Sequence, residues 1–595
     1  MAAAMFGACK RPENKANAGA ATPTELSPLF ANYYKERMQL FPLEATMNGD
    51  TTANHLLPAS FSESHIEKLK EFFTRYQQQI TDVDTAALND NDKKSVSILA
   101  YEVDMGLKGL AVNFVGSSAV SYSSFLPFDQ FNGVPLLLGQ MGSGTGVQPF
   151  KTEKDYRNWL QRAGAFKAWS DSAITYFRKG IANNYVLPKS IVVKMIPQLR
   201  AMQTPGVESN LFYGPVNLFP KAFNDSLKKD LTLAFGSLIK DSLMPAYAKL
   251  ANFLETEYLP KARISTGINA LPGGDSLYSY LVRFWTTTEK QSNEIYQTGL
   301  AEVKRIRGEM EQIKTSVQFG GSLDSFFTYM KTGKQFMPFK TPAEVIATYN
   351  KMQATIEPNL QKMFGRSPKT PFEIRQTEAF RAASASAEYY AGLPDGSRPG
   401  IFYVPIIDAT KFNTTSGMES LFLHEAIPGH HYQISLQNEN TALPSFRRFI
   451  WYGAYGEGYA LYCESLGKEL GLYTDPYQQM GALGDEIHRA IRLVVDVAMH
   501  TGKMTREEAV TYMMANEAIS EEGAVAEIER YMVYPAQALS YKTGALKIRE
   551  LRDKYTKQLG GKFNLAAFHD EFLIGGCMPL AIIERGMDTW AARQQ

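Results

Sequence analysis

Three of the chain's eight histidines, His424, His430 and His431, fall within eight consecutive positions around Glu425. Imidazole nitrogens are good zinc ligands, and a glutamate beside the first histidine is placed to take a proton from a water activated on the ion. In the common form of this arrangement the two histidines stand one helical turn apart. Here that position is Pro428, which offers a metal no donor atom. Two geometries restore a site. A bulge at Pro428-Gly429 brings His430 into the place of the second ligand, because Pro lacks a backbone donor and Gly tolerates unusual dihedrals. A continuous helix instead returns His431 to the face of His424, but two turns away, about 10 Å, too far to share one ion without a kink. His430 is therefore the expected ligand, and His431 a neighbour that contacts substrate or supports the ligands.

A catalytic site needs a third protein ligand and one open position for water. Downstream, the helical stretch "YGEGYALYCESLGKELGL" carries Glu457 and Glu464 seven residues apart, on one face. Glu457, reached by a hairpin return through "NENTALPSF", is the expected third ligand, with Glu464 in reserve or supporting from behind. An acid in so small and apolar a face needs a partner; the competing reading is a solvated helix residue. Next, Arg489, Arg492, Asp496 and His500 recur at three- or four-residue steps on an apolar helix, a candidate buried polar row. Asp496 and His500 are expected behind the ligands, with Asp496 orienting a ligand imidazole; the two arginines fit a structural Arg-Asp pairing equally well. Around Pro535 the chain gathers Arg530, Tyr531, Tyr534, Gln537 and Tyr541. Tyr541 and Arg530 are of the types that stabilise an oxyanion opposite a metal, though helical tyrosines more often pack.

The elements that must position these residues are helices. "SHIEKLKEFFTRYQQQITDV" and "TTEKQSNEIYQTGLAEVKRIRGEMEQIKTSV" carry apolar residues at helical spacing. The best strand is "GIFYVPIID", residues 400–408, whose Phe402-Tyr403-Val404 is a candidate edge for an extended substrate. Stretches 139–150 and 269–276 are expected to be loops. A length of 595 residues exceeds one ordinary core, and the expected plan is a tether at 1–27, a helical lobe at 28–270 and a chemistry-bearing lobe at 271–595.

Hydrophobic residues at 44%, charged residues at 21% and a net charge of +1 suit a globular body and give no electrostatic reason to expect nucleic acid as partner. The three cysteines, Cys9, Cys463 and Cys577, form no CxxC pair, so the metal is left to His and carboxylate. There is no uninterrupted apolar run of about 18 residues to span a membrane. "MAAAMFGACK" followed by an Ala-, Pro- and Asn-rich stretch reads either as the end of a lipoprotein signal with Cys9 lipidated, or as an ordinary flexible start. The first reading makes the protein a periplasmic or cell-envelope lipoprotein. No GxSxG elbow supports a serine hydrolase.

The motifs "LFLHEAIPGHHYQ", "EGYALYCE", "RAIRLVVDVAMH" and "YPAQALSYKTG", with "LFPLEATMNGD", "FLPFDQFNGVP" and "RPGIFYVP" upstream, resemble in order and spacing the bacterial domain of unknown function 885 (DUF885) family. Its members are described as lipoproteins or presumed metallopeptidases. The resemblance covers nearly the whole chain and departs at Ala536, where the family commonly has Gly. It implies a mainly α, large two-lobed, zincin-like (gluzincin) fold with a small β element beside the active-site helix, similar in outline to clam-shaped oligopeptidases and helical carboxypeptidases. Aligning the Gly-His of their HExGH motif with Gly429-His430 again selects His430.

The expectation is a hydrolase: zinc on His424, His430 and Glu457 activates water, Glu425 takes its proton, and Tyr541, with His431 or Arg530, holds the oxyanion of a short peptide. Manganese, cobalt and iron suit the same ligand types. The rival readings are a metal- or peptide-binding lipoprotein without turnover, and a zinc hydrolase of non-peptide amides or esters.

Overall fold

The computed structural model describes residues 23–117, 120–377, 386–394, 396 and 398–595. Cys9, the expected lipidation point, lies outside them. The described chain is helical nearly throughout, with a small three-stranded sheet. The site depends on the helices α1 (Pro23–Leu40), α2 (Asp90–Ala111), α3 (Gly274–Thr286), α4 (Met418–Glu425), α5 (His430–Glu439), α6 (Gly453–Glu464), α7 (Pro476–His500), α8 (Glu521–Val533) and α9 (Leu539–Leu559). Among the described residues no helix is long and apolar enough to cross a membrane.

Local chemistry explains the helix starts. Asn89 caps α2 by accepting the Asp92 amide, and Asp475 followed by Pro476 opens α7, with its carboxylate accepting the Tyr477 amide. From Ala490 to His500 every residue of α7 is buried. A helix covered on all sides is a central strut, and each polar group on it must find a partner inside the protein. Both amphipathic segments read from the sequence are helices, Glu63–Thr81 and Ser292–Ser316. The expected loop at 139–150 is helical as far as Gly142, because Pro135 at the helix start and the apolar run after it favour a helix over a glycine-rich loop.

The sheet consists of β1 (Phe372–Gln376), β2 (Glu388–Tyr390) and β3 (Gly400–Val404) in the order β1-β3-β2, parallel between β1 and β3 and antiparallel between β2 and β3. The predicted strand is therefore central. Its backbone groups are engaged on both sides, Phe402 opposite Ile374 and Tyr389, so it offers no free edge to a substrate.

One buried apolar cluster draws on Phe30 and Trp159 as much as on Phe422 and Trp590, so residues on both sides of position 270 share it. Phe446, just before α6, packs its ring 5.3 Å from Phe30 of α1. Beside it Arg447 is fully buried and donates to Asn91 Oδ1 (2.8 Å) and Ser95 Oγ (2.9 Å) of α2 and to the Gly575 carbonyl (2.6 Å). Burial, only partly opposed by Tyr452 and Asp92, pulls the guanidinium down to about 10, still charged at neutral pH. Arg447→Ala strands three acceptors and opens a void. It is expected to lower stability by about 3 kcal/mol, read as a lower denaturant midpoint; an unchanged midpoint would show that this strap holds nothing.

Candidate metal centre

Helix α4 ends at Glu425 and α5 begins at His430, so the chain leaves the helix completely between them. The expected bulge inside a continuing helix is thus a full break. Pro428 lacks the N–H that a continuing turn needs, and its peptide bond with Ile427 is cis. Gly429 makes the return possible: a β-carbon there would lie 1.9 Å from the His424 carbonyl oxygen and 2.3 Å from that of Leu423. Only a residue without a side chain fits so close to that backbone.

The break sets the His430 ring 4.9 Å from the His424 ring and nearly perpendicular to it, at 89°. Nε2 of His424 stands 3.6 Å and Nε2 of His430 3.5 Å from the same oxygen, Oε2 of Glu457. All three donor atoms lie within 4.8 Å of one another. The two distances to Glu457 are long for hydrogen bonds and close to the roughly 3.3–3.5 Å edge of a tetrahedron whose centre is 2.0–2.1 Å from each ligand. The donor set, two imidazole nitrogens and one carboxylate oxygen, fits zinc.

Glu457 is delivered by close helix packing. At Gly458 of α6 a β-carbon would meet the Gly544 Cα of α9 at 2.5 Å, so the two backbones touch. That contact holds Tyr541, one turn before Gly544, beside Glu457. Burial and the Glu457 charge raise the Tyr541 hydroxyl above its usual range, against Arg492, Arg530 and Gln537, so it remains a hydrogen-bond donor. The Arg492 guanidinium covers the Tyr541 ring at 4.8 Å and donates to Tyr531 Oη at 2.9 Å. Arg530, on α8, is half-buried near Tyr541 and makes no ion pair among the described residues.

Behind the donors, Nδ1 of His424 is 2.7 Å from Oε1 of buried Glu464, with Arg489 Nη2 3.8 Å from that oxygen. A carboxylate there fixes the imidazole tautomer and would turn Nε2 toward an ion held by the cluster. Burial opposes the charge on His424, yet Glu457 and Glu464 together push it up to about 10. Burial likewise raises Glu457, but the two imidazoles hold it well below the usual carboxylate range. Glu425 is half-buried and has no hydrogen-bond partner among the described residues; burial raises its carboxyl.

Three expected site residues lie elsewhere. Asp496 does not orient an imidazole. Two helical turns beyond Arg489, it accepts from Tyr278 Oη (2.6 Å) on α3 and from the Ala536 amide, and burial pushes it up to about 7. It anchors the turn into α9, where Ala536 takes a left-handed φ of 67°, the conformation that favours glycine. His500, one turn further, accepts from the Ile268 amide at Nδ1 and donates from Nε2 to the Tyr531 carbonyl; burial pulls it down to about 3. Both nitrogens are used, so it is a structural histidine. His431, about 100° around α5 from His430, turns to the sheet. Its Nδ1 is 3.0 Å from Tyr389 Oη, its ring packs 4.8 Å from that of Phe372, and burial pulls it down to about 4.

Sequence reasoning missed Trp451. Its ring lies 5.9 Å from that of His430 while the residue is 37% exposed. A tryptophan just ahead of the Glu457 helix was the available signal.

The family of bacterial proteins of unknown function DUF885 matches residues 42–587. The chain belongs to this family. Among solved structures, a similar fold is seen in a presumed lipoprotein from Colwellia psychrerythraea, 28% identical, with a TM-score of 0.86 over 96% of this chain and 99% of that one. A presumed lipoprotein of unknown function from Shewanella oneidensis, 20% identical, shares the fold with a TM-score of 0.72 over 96% of this chain and 100% of that one. No curated protein matches.

Proposed function

We propose that this DUF885 protein is a zinc-dependent peptidase of the gluzincin type acting on short peptides, with the ion held by His424, His430 and Glu457. The observation that carries the reading is the meeting of these three donors within 4.8 Å, both imidazoles standing at about a tetrahedral edge from Glu457, with the far nitrogen of His424 already committed to Glu464. A bound zinc ion supplies Lewis acidity toward water and a peptide carbonyl.

The chain's own residues do the rest. Glu425 takes the proton of the attacking water and hands it to the leaving amine. The Tyr541 hydroxyl and the Arg530 guanidinium donate to the oxyanion. Glu464 keeps the proton of His424 on Nδ1. A protein that merely stores metal has no use for a half-buried carboxyl, next to a ligand, that has no hydrogen-bond partner among the described residues, and this favours turnover over the binding reading. His431, Asp496 and His500 have no part in the chemistry. A place in the cell envelope is part of the proposal, supported by the lipoprotein descriptions of the Colwellia and Shewanella proteins.

The test is a panel of short peptides, with amides and esters beside them. Hydrolysis of peptides that stops on chelation and returns with one equivalent of zinc is expected. Peptide hydrolysis that persists with the metal stripped sinks the reading, and turnover of the esters or amides alone moves it to a different hydrolase.

A further inference from the structure

A cleft of about 270 Å³ opens between α1, α2, α3 and the segment leading into α6. Its walls are aromatic, including Phe73, Tyr101, Phe114, Tyr280, Phe284 and Trp451. Trp451 places it at the metal centre, since the same ring stands 5.9 Å from that of His430. Gln537 also lines it, and Gln537 reaches the Tyr541 hydroxyl. The volume is just under the roughly 300–1,000 Å³ of sites for drug-sized ligands, room for one residue of an extended peptide rather than for a folded chain.

The charged groups of the lining are Arg37, Glu44 and Glu102. Arg37 and Glu44 face each other in a two-pronged pair at 2.8 and 3.1 Å, and the Arg37 guanidinium also lies over the Phe41 ring at 4.6 Å. That guanidinium is paired with Glu44 and acts on Glu102 through space only, without an ion pair to it. Glu102 accepts from Tyr452 Oη at 2.7 Å and has no cation within ion-pair distance among the described residues. The cleft thus carries two carboxylates against one guanidinium, inside walls whose ring faces are themselves attractive to cations. Burial raises the Glu102 carboxyl, more than Arg37 lowers it, a penalty that an entering cation relieves.

We propose that this aromatic cleft is the subsite that receives a cationic group of the peptide, either its α-ammonium or a Lys or Arg side chain, against Glu102. The assignment rests on the peptidase reading for the bond that is cut, but not for the chemistry of the cleft.

The experiment uses the zinc-loaded full chain and matched fluorogenic peptides that carry Lys, norleucine or Glu at one position, each with a free and with an acetylated N-terminus. The expected result is a preference of about tenfold or more in kcat/KM for the cationic member of one pair, the size of one desolvated cation contact. Loss of the preference on acetylation assigns the α-ammonium, and loss on replacing Lys by norleucine assigns the side chain. Glu102→Gln is expected to shrink that ratio about tenfold, chiefly through KM. No preference in either pair for the wild type, which needs no variant to fold, overturns the proposal, as does an unchanged ratio in folded E102Q. Tryptophan fluorescence titration of the same peptides separates the two readings. Cation-selective binding without hydrolysis keeps the cleft and removes the peptidase, whereas hydrolysis indifferent to charge does the reverse.

Discussion

Glu425→Gln is expected to keep one equivalent of zinc and to lose peptide hydrolysis by about a thousandfold, within the range for a positioned general base. The substitution preserves shape and removes only the capacity to take a proton. Glu425 is not one of the three donors, whose convergence rests on His424, His430 and Glu457. Its carboxyl has no hydrogen-bond partner among the described residues, and burial already works against its charge. The neutral amide therefore breaks no internal bond. Metal content by atomic absorption and kcat on the best peptide are the two readouts, and both are needed. A variant that hydrolyses at the parent rate with zinc in place removes Glu425 from the mechanism. A variant that loses zinc as well shows that Glu425 belongs to the site's framework.

The second large effect separates two adjacent histidines. His430→Ala is expected to lose zinc affinity by well over ~100-fold, beyond what an outer partner of a metal ligand contributes, and with it all hydrolysis. His431→Ala is expected to retain the metal and instead to lose stability by about 2–3 kcal/mol. The reason is in their surroundings. His430 Nε2 stands 3.5 Å from Glu457 Oε2, whereas the His431 ring fills the space between Phe372 and Tyr389 and takes up the Tyr389 hydroxyl. Zinc titration of both variants against a competing chelator, with denaturant unfolding alongside, gives the comparison. Tight zinc in H430A and none in H431A would transfer the ligand role to His431 and undo the geometry on which the centre is built.

Much of the donor set was legible from residue types and spacing. Pro428 and Gly429 pointed to a bulge after His424, and helical reach favoured His430 over His431 as second ligand without settling the choice. Glu457 stood out as an acid in a stretch of small apolar residues, and those residues prove to be where α6 meets α9 backbone to backbone. The mainly helical content and a strand from 400, expected to run to 408 and observed as far as Val404, followed from periodicity and composition, which are local properties.

What local patterns do not carry is which partner a side chain meets across the fold. Glu464 and Asp496 were both acids on apolar helices, and only the crossing of α4 with α6 gives His424 Nδ1 to Glu464, while α3 and the turn at Ala536 take Asp496. His500 and His431 had the right residue type and neighbourhood in sequence. Both ring nitrogens of His500 are taken by a backbone pair and Nδ1 of His431 by Tyr389, contacts made across large sequence separations. The cleft is the extreme case, since Arg37, Glu44 and Glu102 reach Trp451 only through the packing of α1 and α2 on the segment before α6. Residue chemistry and spacing by themselves singled out His424, His430 and Glu457 as candidate metal ligands; tertiary packing alone decided which groups surround them, because hydrogen-bond partners and burial are properties of juxtaposed surfaces rather than of neighbours along the chain.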